Sequence, residues 1–452
     1  MEWKIKYKDK LITAEQAAKL VTSGSDVLFA MMNQPKEVGW ELSKRHSELK
    51  NVTITSHWVE DYPFLHPKEH PEMAESFLIQ DGLTLRYTRE GVREKLIDWK
   101  PSIFGLSDGI RQLDANRGRL YHYKDFFFFK LTLPDDKGYS SFGPQTWFSP
   151  SACRTAKVKV AEIDPNLLRV NGEYVNLDSI DYLIEAPEAP SLEAEERFVY
   201  LPSQEEWEVA QVVGANAASL IKDGDTVQIG TGTAAESVMG FLEGKNDLGI
   251  DSELIYTQII QLYMKGVITG KNKSVDKGKI VTSCYQMYLG DPLLPECLEA
   301  IRENSEFEFR DIAYMCSVPR IAAQDNLVSI NSAIAVDLLG QVVTTHIGPV
   351  PLTGPGGGVE YNIGSHYSKG GRSITVLSST ALGGRVSRIV PKFEPGTAVM
   401  IPMVYLDYVV TEYGIANLDC KSRRERAEAL ISVAHPDFRD ELERAAKQMF
   451  YP

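Results

Sequence analysis

Three short stretches hold the residues whose types and spacing could do chemistry. Gly230-Thr231-Gly232-Thr233-Ala234-Ala235 follows a β-type run, Thr226 to Ile229, and precedes a helical pattern over Glu236 to Leu242. A turn of this kind aims backbone N–H groups at an anion. It also satisfies the relaxed G-x-G-x-x-A dinucleotide pattern. Glu253 lies 253 − 232 = 21 positions after Gly232, near the spacing of about 20 at which an acid reaches a ribose hydroxyl. A phosphate cradle, a nicotinamide site and an ordinary strand-to-helix turn all remain open. Glu253 itself ends a predicted strand in Leu248 to Tyr256, the edge at which open α/β sheets bind ligands. It reads as a nucleophile, a ribose ligand or a solvated charge. The third stretch, Thr353 to Tyr361, packs Gly354, Gly356, Gly357 and Gly358 into five residues. Clustered N–H donors there suit an oxyanion or a thioester carbonyl, and a plain surface loop is the other reading. Ser368-Lys369-Gly-Gly-Arg372 adds two cations that could meet phosphate.

Other chemistries find less support. His66 and His70 have i, i+4 spacing, but Pro67 and Pro71 oppose the helix that would align both rings on a metal. No metal site is expected. There is no Walker A loop and no G-x-S-x-G elbow. Phe126 to Phe129 reads as a short buried strand, and Cys153 and Cys316 as small core residues.

The elements that must position these residues show a repeat. Ala17-Ala18-Lys19-Leu20-Val21-Thr22-Ser23-Gly24 echoes Ala217-Ala218-Ser219-Leu220-Ile221-Lys222-Asp223-Gly224, 200 positions later, and each precedes a β-type run. A second echo sets Asn51 to His57 against Asp247 to Glu253, at an offset of 196. Two echoes in the same order argue for duplicated halves. Between them Glu185 to Glu196 is acidic and proline-containing, as a linker is, which places the boundary near 190 to 202. Helical spacing over Trp207 to Leu220, a strand at Thr226 to Ile229 and similar alternation elsewhere imply parallel α/β sheets. Ser422 and Glu425 form a capping box ahead of a C-terminal helix.

The 452 residues fit two or three domains, and 43% hydrophobic with 24% charged residues is globular composition. The balance 48 − 62 = −14 disfavours nucleic acid. Membrane spans and a secretory leader are not expected from the apolar runs or the charged start. Five scattered cysteines without C-x-x-C fit a reducing cytoplasm.

The Glu253 segment, with Gly266-Val-Ile-Thr269 and Gly278-Lys-Ile-Val281, resembles the acetyl-CoA hydrolase/transferase family, in particular its 4-hydroxybutyrate and butyrate CoA-transferase branch. Ser141-Phe-Gly143, Ala152 to Lys157, Ser329-Ile-Asn331-Ser332, Val336 to Gln341 and Asp407 to Ala416 extend the resemblance along nearly the whole chain. It implies a class I CoA-transferase of two similar open α/β domains, here residues 1–195 and 196–452, with the active site in the interdomain cleft. By matching position, Glu253 would be the catalytic glutamate carrying a glutamyl-CoA thioester. Gly230, Thr231, Gly232, Thr233, Ala234, Asn331 and Lys369 would contact coenzyme A, and Gly354, Gly356, Gly357 and Gly358 would line the thioester. The substrates would be an acyl-CoA and a small carboxylic acid, and the protein a homodimer or higher homo-oligomer. A hydrolase on the same fold, a dehydrogenase and a silent CoA-binding protein are the alternatives. The chain departs from the family at Gly358 (usually Gln), Glu360 (usually Asp) and Asp251 (often His). His57, which echoes Glu253, would orient a substrate carboxylate. Trp58, Tyr62 and Phe64 behind it suggest room for a larger or aromatic acyl group.

Overall fold

The computed structural model describes residues 2–85, 87–101, 124–187, 202–288 and 291–451. Runs with strand composition and capped helices alternate along it, and they gather into two compact units. One comprises Met1–Phe198 with Thr282–Tyr314, the other Val199–Val281 with Met315–Pro452. Residues 188–201, which include most of the expected linker, lie outside the described residues. Residues 282–314 join the first unit.

In the first unit, β1 (Asp26–Phe29), β2 (Val52–His57), β3 (Phe77–Leu83), β4 (Asp98–Trp99), β5 (Phe126–Leu131), β6 (Val158–Ile163) and β7 (Tyr182–Glu185) form a parallel sheet in the order β4-β3-β2-β1-β5-β6-β7. Phe126 to Phe129 are buried in β5, with Phe127 stacked on Phe129 at 4.6 Å between ring centroids. An apolar strand covered on both faces is what a parallel sheet requires. In the second unit, β8 (Thr226–Ile229), β9 (Gly249–Asp251), β10 (Ile280–Thr282), β11 (Leu327–Ser332), β12 (Arg372–Val376) and β13 (Tyr408–Thr411) run parallel in the order β10-β9-β8-β11-β12-β13. β14 (Gly414–Asn417) closes the edge as an antiparallel hairpin.

The echoes of the sequence are equivalent in space. Gly24 and Gly224 take φ of 79° and 81°, and their N–H groups donate to the carbonyls of Lys50 and Asn246, each at 2.9 Å. Asn51 and Asp247 also match, at φ 55° and 57°. β1 pairs with β2 at Asp26 and Thr53, as β8 pairs with β9 at Thr226 and Gly249. The drop in offset from 200 to 196 falls in the segment between each pair. There the first unit has the helix Lys36–Lys44 and the second has Thr233–Glu236 followed by a 3-10 turn, Ser237–Phe241.

That turn corrects the expected helix over Glu236 to Leu242. The Ser237 hydroxyl bonds the Ala234 carbonyl at 2.8 Å and the Ala210 carbonyl at 2.7 Å. A local acceptor three residues back draws the chain into i→i+3 spacing. The helices at Gln204–Ala218 and Arg423–Ser432 begin with complete capping boxes, Ser203 with Glu206 and Ser422 with Glu425.

Candidate active site

β9 ends at Asp251, and the next two residues leave the sheet at its C-terminal edge. Ser252 is tied to the last residue of β8, accepting from the Ile229 N–H at 3.3 Å and donating to its carbonyl at 3.2 Å. Glu253 is thereby held in the interior, only 8% exposed. Its Oε1 accepts the Gly357 N–H at 3.4 Å and its Oε2 accepts the Cys316 S–H at 3.4 Å. Burial pushes the Glu253 carboxyl up to about 7, with the Cys316 and Gly357 donors acting against it. The Cys316 thiol is pushed well up by its own burial, then by the charges of Glu253 and Glu360. It therefore stays an S–H donor.

The glycine loop is fitted to this carboxylate. A Cβ at Gly357 would lie 1.8 Å from Glu253 Oε2 and 2.5 Å from Cys316 Sγ, so only glycine brings its N–H this close. Gly356 supplies the left-handed turn at φ 56°, Gly354 is buried, and Gly357 is the N-cap of the helix Gly358–Tyr367. A Cβ at Gly358 would meet Asn331 Oδ1 at 3.5 Å, an ordinary contact. Unlike Gly357, this position therefore does not require glycine for lack of space at Cβ.

Asn331 is locked by a reciprocal amide pair with the buried Gln228, at 3.0 and 3.1 Å. A Cβ at Gly230 would strike Asn331 Oδ1 at 2.4 Å, and one at Gly232, at φ 110°, would strike Ser332 Oγ at 2.8 Å. The Gly230 N–H continues the sheet to the Ile330 carbonyl, and the Gly232 N–H donates to the Glu236 carboxylate at 3.0 Å. Thr231 is exposed, and Thr233 and Ala234 are half-buried in the turn that Gly232 caps. The helix they open is a single turn, and Glu253 sits in the Gly357 niche. The dinucleotide reading thus loses both its helix and its ribose acid.

Beside Glu253 stands a group centred on Asp251, which the sequence marked only as a departure from the family. Asp251 takes Arg320 bidentately, Nη1 to Oδ1 at 3.0 Å and Nη2 to Oδ2 at 2.6 Å. The Tyr361 hydroxyl donates to Oδ1 at 3.1 Å, and Lys273 Nζ lies 3.8 Å from Oδ2. Arg320 also holds Asp276 at 2.8 Å. Burial works against the Asp251 charge, but Arg320 and Lys273 outweigh it and keep its pKa below the usual range. The available signal was an aspartate in an otherwise apolar strand, which demands a buried cation. Arg320 and Gln228 gave no sign of their own, Tyr361 only closed the glycine stretch, and Cys316, read as a small core residue, is buried but also donates to Glu253.

Several expected residues lie elsewhere. Lys369 is exposed, and its carbonyl accepts from the Asn326 N–H at the start of β11. Asn331 is at the other end of that strand, roughly 17 Å away at about 3.3 Å per residue. The loop after a helix returns to the N-terminal edge of a parallel sheet, so Lys369 does not join the cluster. Arg372 is committed to Asp225 and the Leu220 carbonyl. His57 ends β2 in the first unit, 3% exposed, with its ring edge-on to Phe148 at 5.5 Å. Tyr62 and Phe64 are buried in that unit's core, which corrects their part in the expected larger acyl pocket to core packing, whereas Trp58 is half-buried outside that cluster. His66 bonds Asp61, and His70 bonds Glu72 at 3.1 Å. Among the described residues no helix is long and apolar enough to cross a membrane.

Comparison with known proteins adds a family. The acetyl-CoA hydrolase/transferase N-terminal domain matches residues 1–194, and the C-terminal domain of that family matches residues 295–446. The 4-hydroxybutyrate coenzyme A transferase of Clostridium kluyveri is 35% identical over 455 residues, covering 100% of both chains. The succinyl-CoA:cyclohexane-1-carboxylate CoA transferase of Geobacter metallireducens is 31% identical over 98% of this chain and 96% of its own. Among solved structures, RipA from Yersinia pestis aligns over 100% of both chains with a TM-score of 0.86 at 28% identity.

Proposed function

The chain belongs to the acetyl-CoA hydrolase/transferase family and is an enzyme of the CoA-transferase type; from that premise we propose that Glu253 is its covalent nucleophile, passing coenzyme A from an acyl-CoA to a free carboxylic acid. The observation that carries this reading is the buried Glu253 carboxylate, set against a backbone N–H that only a glycine at 357 can bring so close.

In the reaction, a Glu253 oxygen attacks the acyl-CoA carbonyl, and the C–S bond breaks to leave an acyl-glutamyl anhydride and CoA thiolate. The thiolate attacks the glutamyl carbonyl and expels the first carboxylate, leaving glutamyl-CoA. An acceptor carboxylate then attacks this thioester, releasing thiolate and forming a second anhydride. Return of the thiolate to the acyl carbon restores the Glu253 carboxylate. Every step exchanges one acyl link for another, so no proton is consumed. The Gly357 N–H is the donor for oxyanion charge that develops at Glu253. Gly230 to Ala234, Asn331 and Gly354 to Gly358 border the CoA and thioester in this reading, and Lys369 is left out of it.

A carboxylate that titrates near 7 is a better nucleophile than one near 4, but it must be ionised to attack. Adduct formation should therefore rise with pH through about 7 and level off above. The test is mass spectrometry of the protein incubated with acyl-CoA and no acceptor. A CoA adduct or borohydride-reducible thioester on Glu253, absent in Glu253→Gln, is expected. A fully active Glu253→Gln overturns the proposal, and adduct lost to water without dependence on acceptor would make the enzyme a hydrolase.

A further inference from the structure

Two hydrogen bonds join the same two elements side by side. One is Gly357 N–H to Glu253, the other Tyr361 O–H to Asp251. Asp251 ends β9 and Glu253 lies two residues beyond it, and Gly357 and Tyr361 are the N-cap and first turn of the helix Gly358–Tyr367. The Glu253 bond is long, at 3.4 Å, and cannot by itself fix the separation. The Asp251 bond is shorter, at 3.1 Å, and its acceptor is immobilised by the Arg320 fork at 3.0 and 2.6 Å and by Lys273. A bidentate buried pair is rigid in direction as well as distance. Tyr361 is itself fully buried, leaving its ring no other place to go.

We propose that Tyr361, anchored through Asp251 and Arg320, is a positioning residue that sets the gap between the glycine-loop N–H and the Glu253 carboxylate. The role rests on Glu253 being the nucleophile for its catalytic meaning, though the geometry it fixes does not depend on that. The clamp is separable from folding. Asp251 Oδ1 also accepts from Arg320 Nη1, so removing the tyrosine hydroxyl strands no buried carboxylate oxygen. The other groups acting on Glu253 are Cys316, through its S–H, and the Tyr361 phenol itself, while Glu360 acts on Cys316.

The test is Tyr361→Phe, read in two ways. Titration of the ¹³C-labelled Glu253 carboxyl needs no turnover. Its midpoint should move up from about 7, because the Gly357 donor that favours the charged form recedes. Single-turnover formation of the CoA adduct should slow about tenfold, with the KM for acyl-CoA within about twofold of wild type, as expected when an interaction made in the transition state is lost. Arg320→Lys, which keeps the charge and loses the fork, should move both readings in the same direction. An unchanged Glu253 titration in a folded Tyr361→Phe protein overturns the clamp whether or not an adduct forms. A wild-type protein that forms no adduct overturns the nucleophile reading instead, and leaves the titration to decide the clamp.

Discussion

The two units share a frame and differ at the ends of equivalent strands. After β8 the second unit has Gly230, Thr231 and Gly232; after β1 the first has Ala30, Met31 and Met32, all buried. The Ala30 N–H donates to Phe128 as the Gly230 N–H donates to Ile330, both at 2.8 Å. By this register Phe129 is the first unit's equivalent of Asn331. His57 stands at the end of β2 where Glu253 follows β9. One frame has been filled with apolar side chains, Phe29 stacked on Phe128 at 5.3 Å. The other has been opened by glycines around an amide and a carboxylate. Backbone hydrogen bonding and the glycine turns preserve the scaffold, while the side chains at the strand ends differ in kind between the units.

Breaking the second unit's arrangement should have the largest effect. Gly357→Ala places a methyl inside the Glu253 carboxylate. Adduct formation should fall by about 10² to 10³, comparable to losing an oxyanion donor. The counterpart control is Gly39→Ala in the first unit, where a Cβ would meet the Tyr62 ring at 2.2 Å. It should lower the unfolding midpoint by packing alone, as overpacking does, without a specific effect on the adduct. Mass spectrometry and thermal melts of the two variants separate these outcomes.

Next in size is a stability effect of opposite sign to the activity effect. In the fold Glu253 titrates near 7, against 4.5 ordinarily, so the folded protein holds this proton more tightly than the unfolded chain. The wild type therefore loses stability relative to Glu253→Gln as pH rises through this window, by on the order of 3 kcal/mol, and the difference is constant above it. Urea denaturation of both proteins at about pH 5 and about pH 8 measures it.

His57→Ala asks whether the echoed position has kept a role. The expected outcome is a roughly tenfold rise in KM for the acceptor acid, about 1.4 kcal/mol, with adduct formation from acyl-CoA unchanged. Unchanged transfer kinetics would reduce His57 to packing against Phe148. The smallest effects belong to the shared scaffold. Gly24→Ala, at φ 79° with nothing within 4 Å of the new Cβ, should cost about 1 kcal/mol. Gly224→Ala should cost slightly more, because Asn272 Nδ2 lies 2.7 Å from its Cβ. Equal costs would argue that the Asn272 side chain swings aside.

Local signals carried much of this to the page. The duplicated turns were legible because a left-handed backbone selects glycine, and the buried strand Phe126 to Phe129 because a covered parallel strand needs apolar residues throughout. Glu253 and the glycine loop were legible as separate stretches 104 positions apart, with nothing in either to say that they touch. Lys369 was legible as a cation near a glycine pair, but the sequence did not say that it lies at the opposite end of the strand from Asn331. Tyr62 and Phe64 misled because aromatic residues line pockets and fill cores with the same composition.

By itself, then, the sequence determined the repeat, the α/β class and the residue types available for acyl transfer, since these follow from periodicity, turn conformation and side-chain chemistry. Tertiary structure alone decided which of them meet. The burial that pushes Glu253 up to about 7 comes from packing, and its partners Gly357 and Cys316 arrive from distant segments. Asp251 became an anchor only when Arg320 and Tyr361 closed on it. Desolvation and hydrogen-bond direction depend on neighbours in space, which linear spacing does not specify.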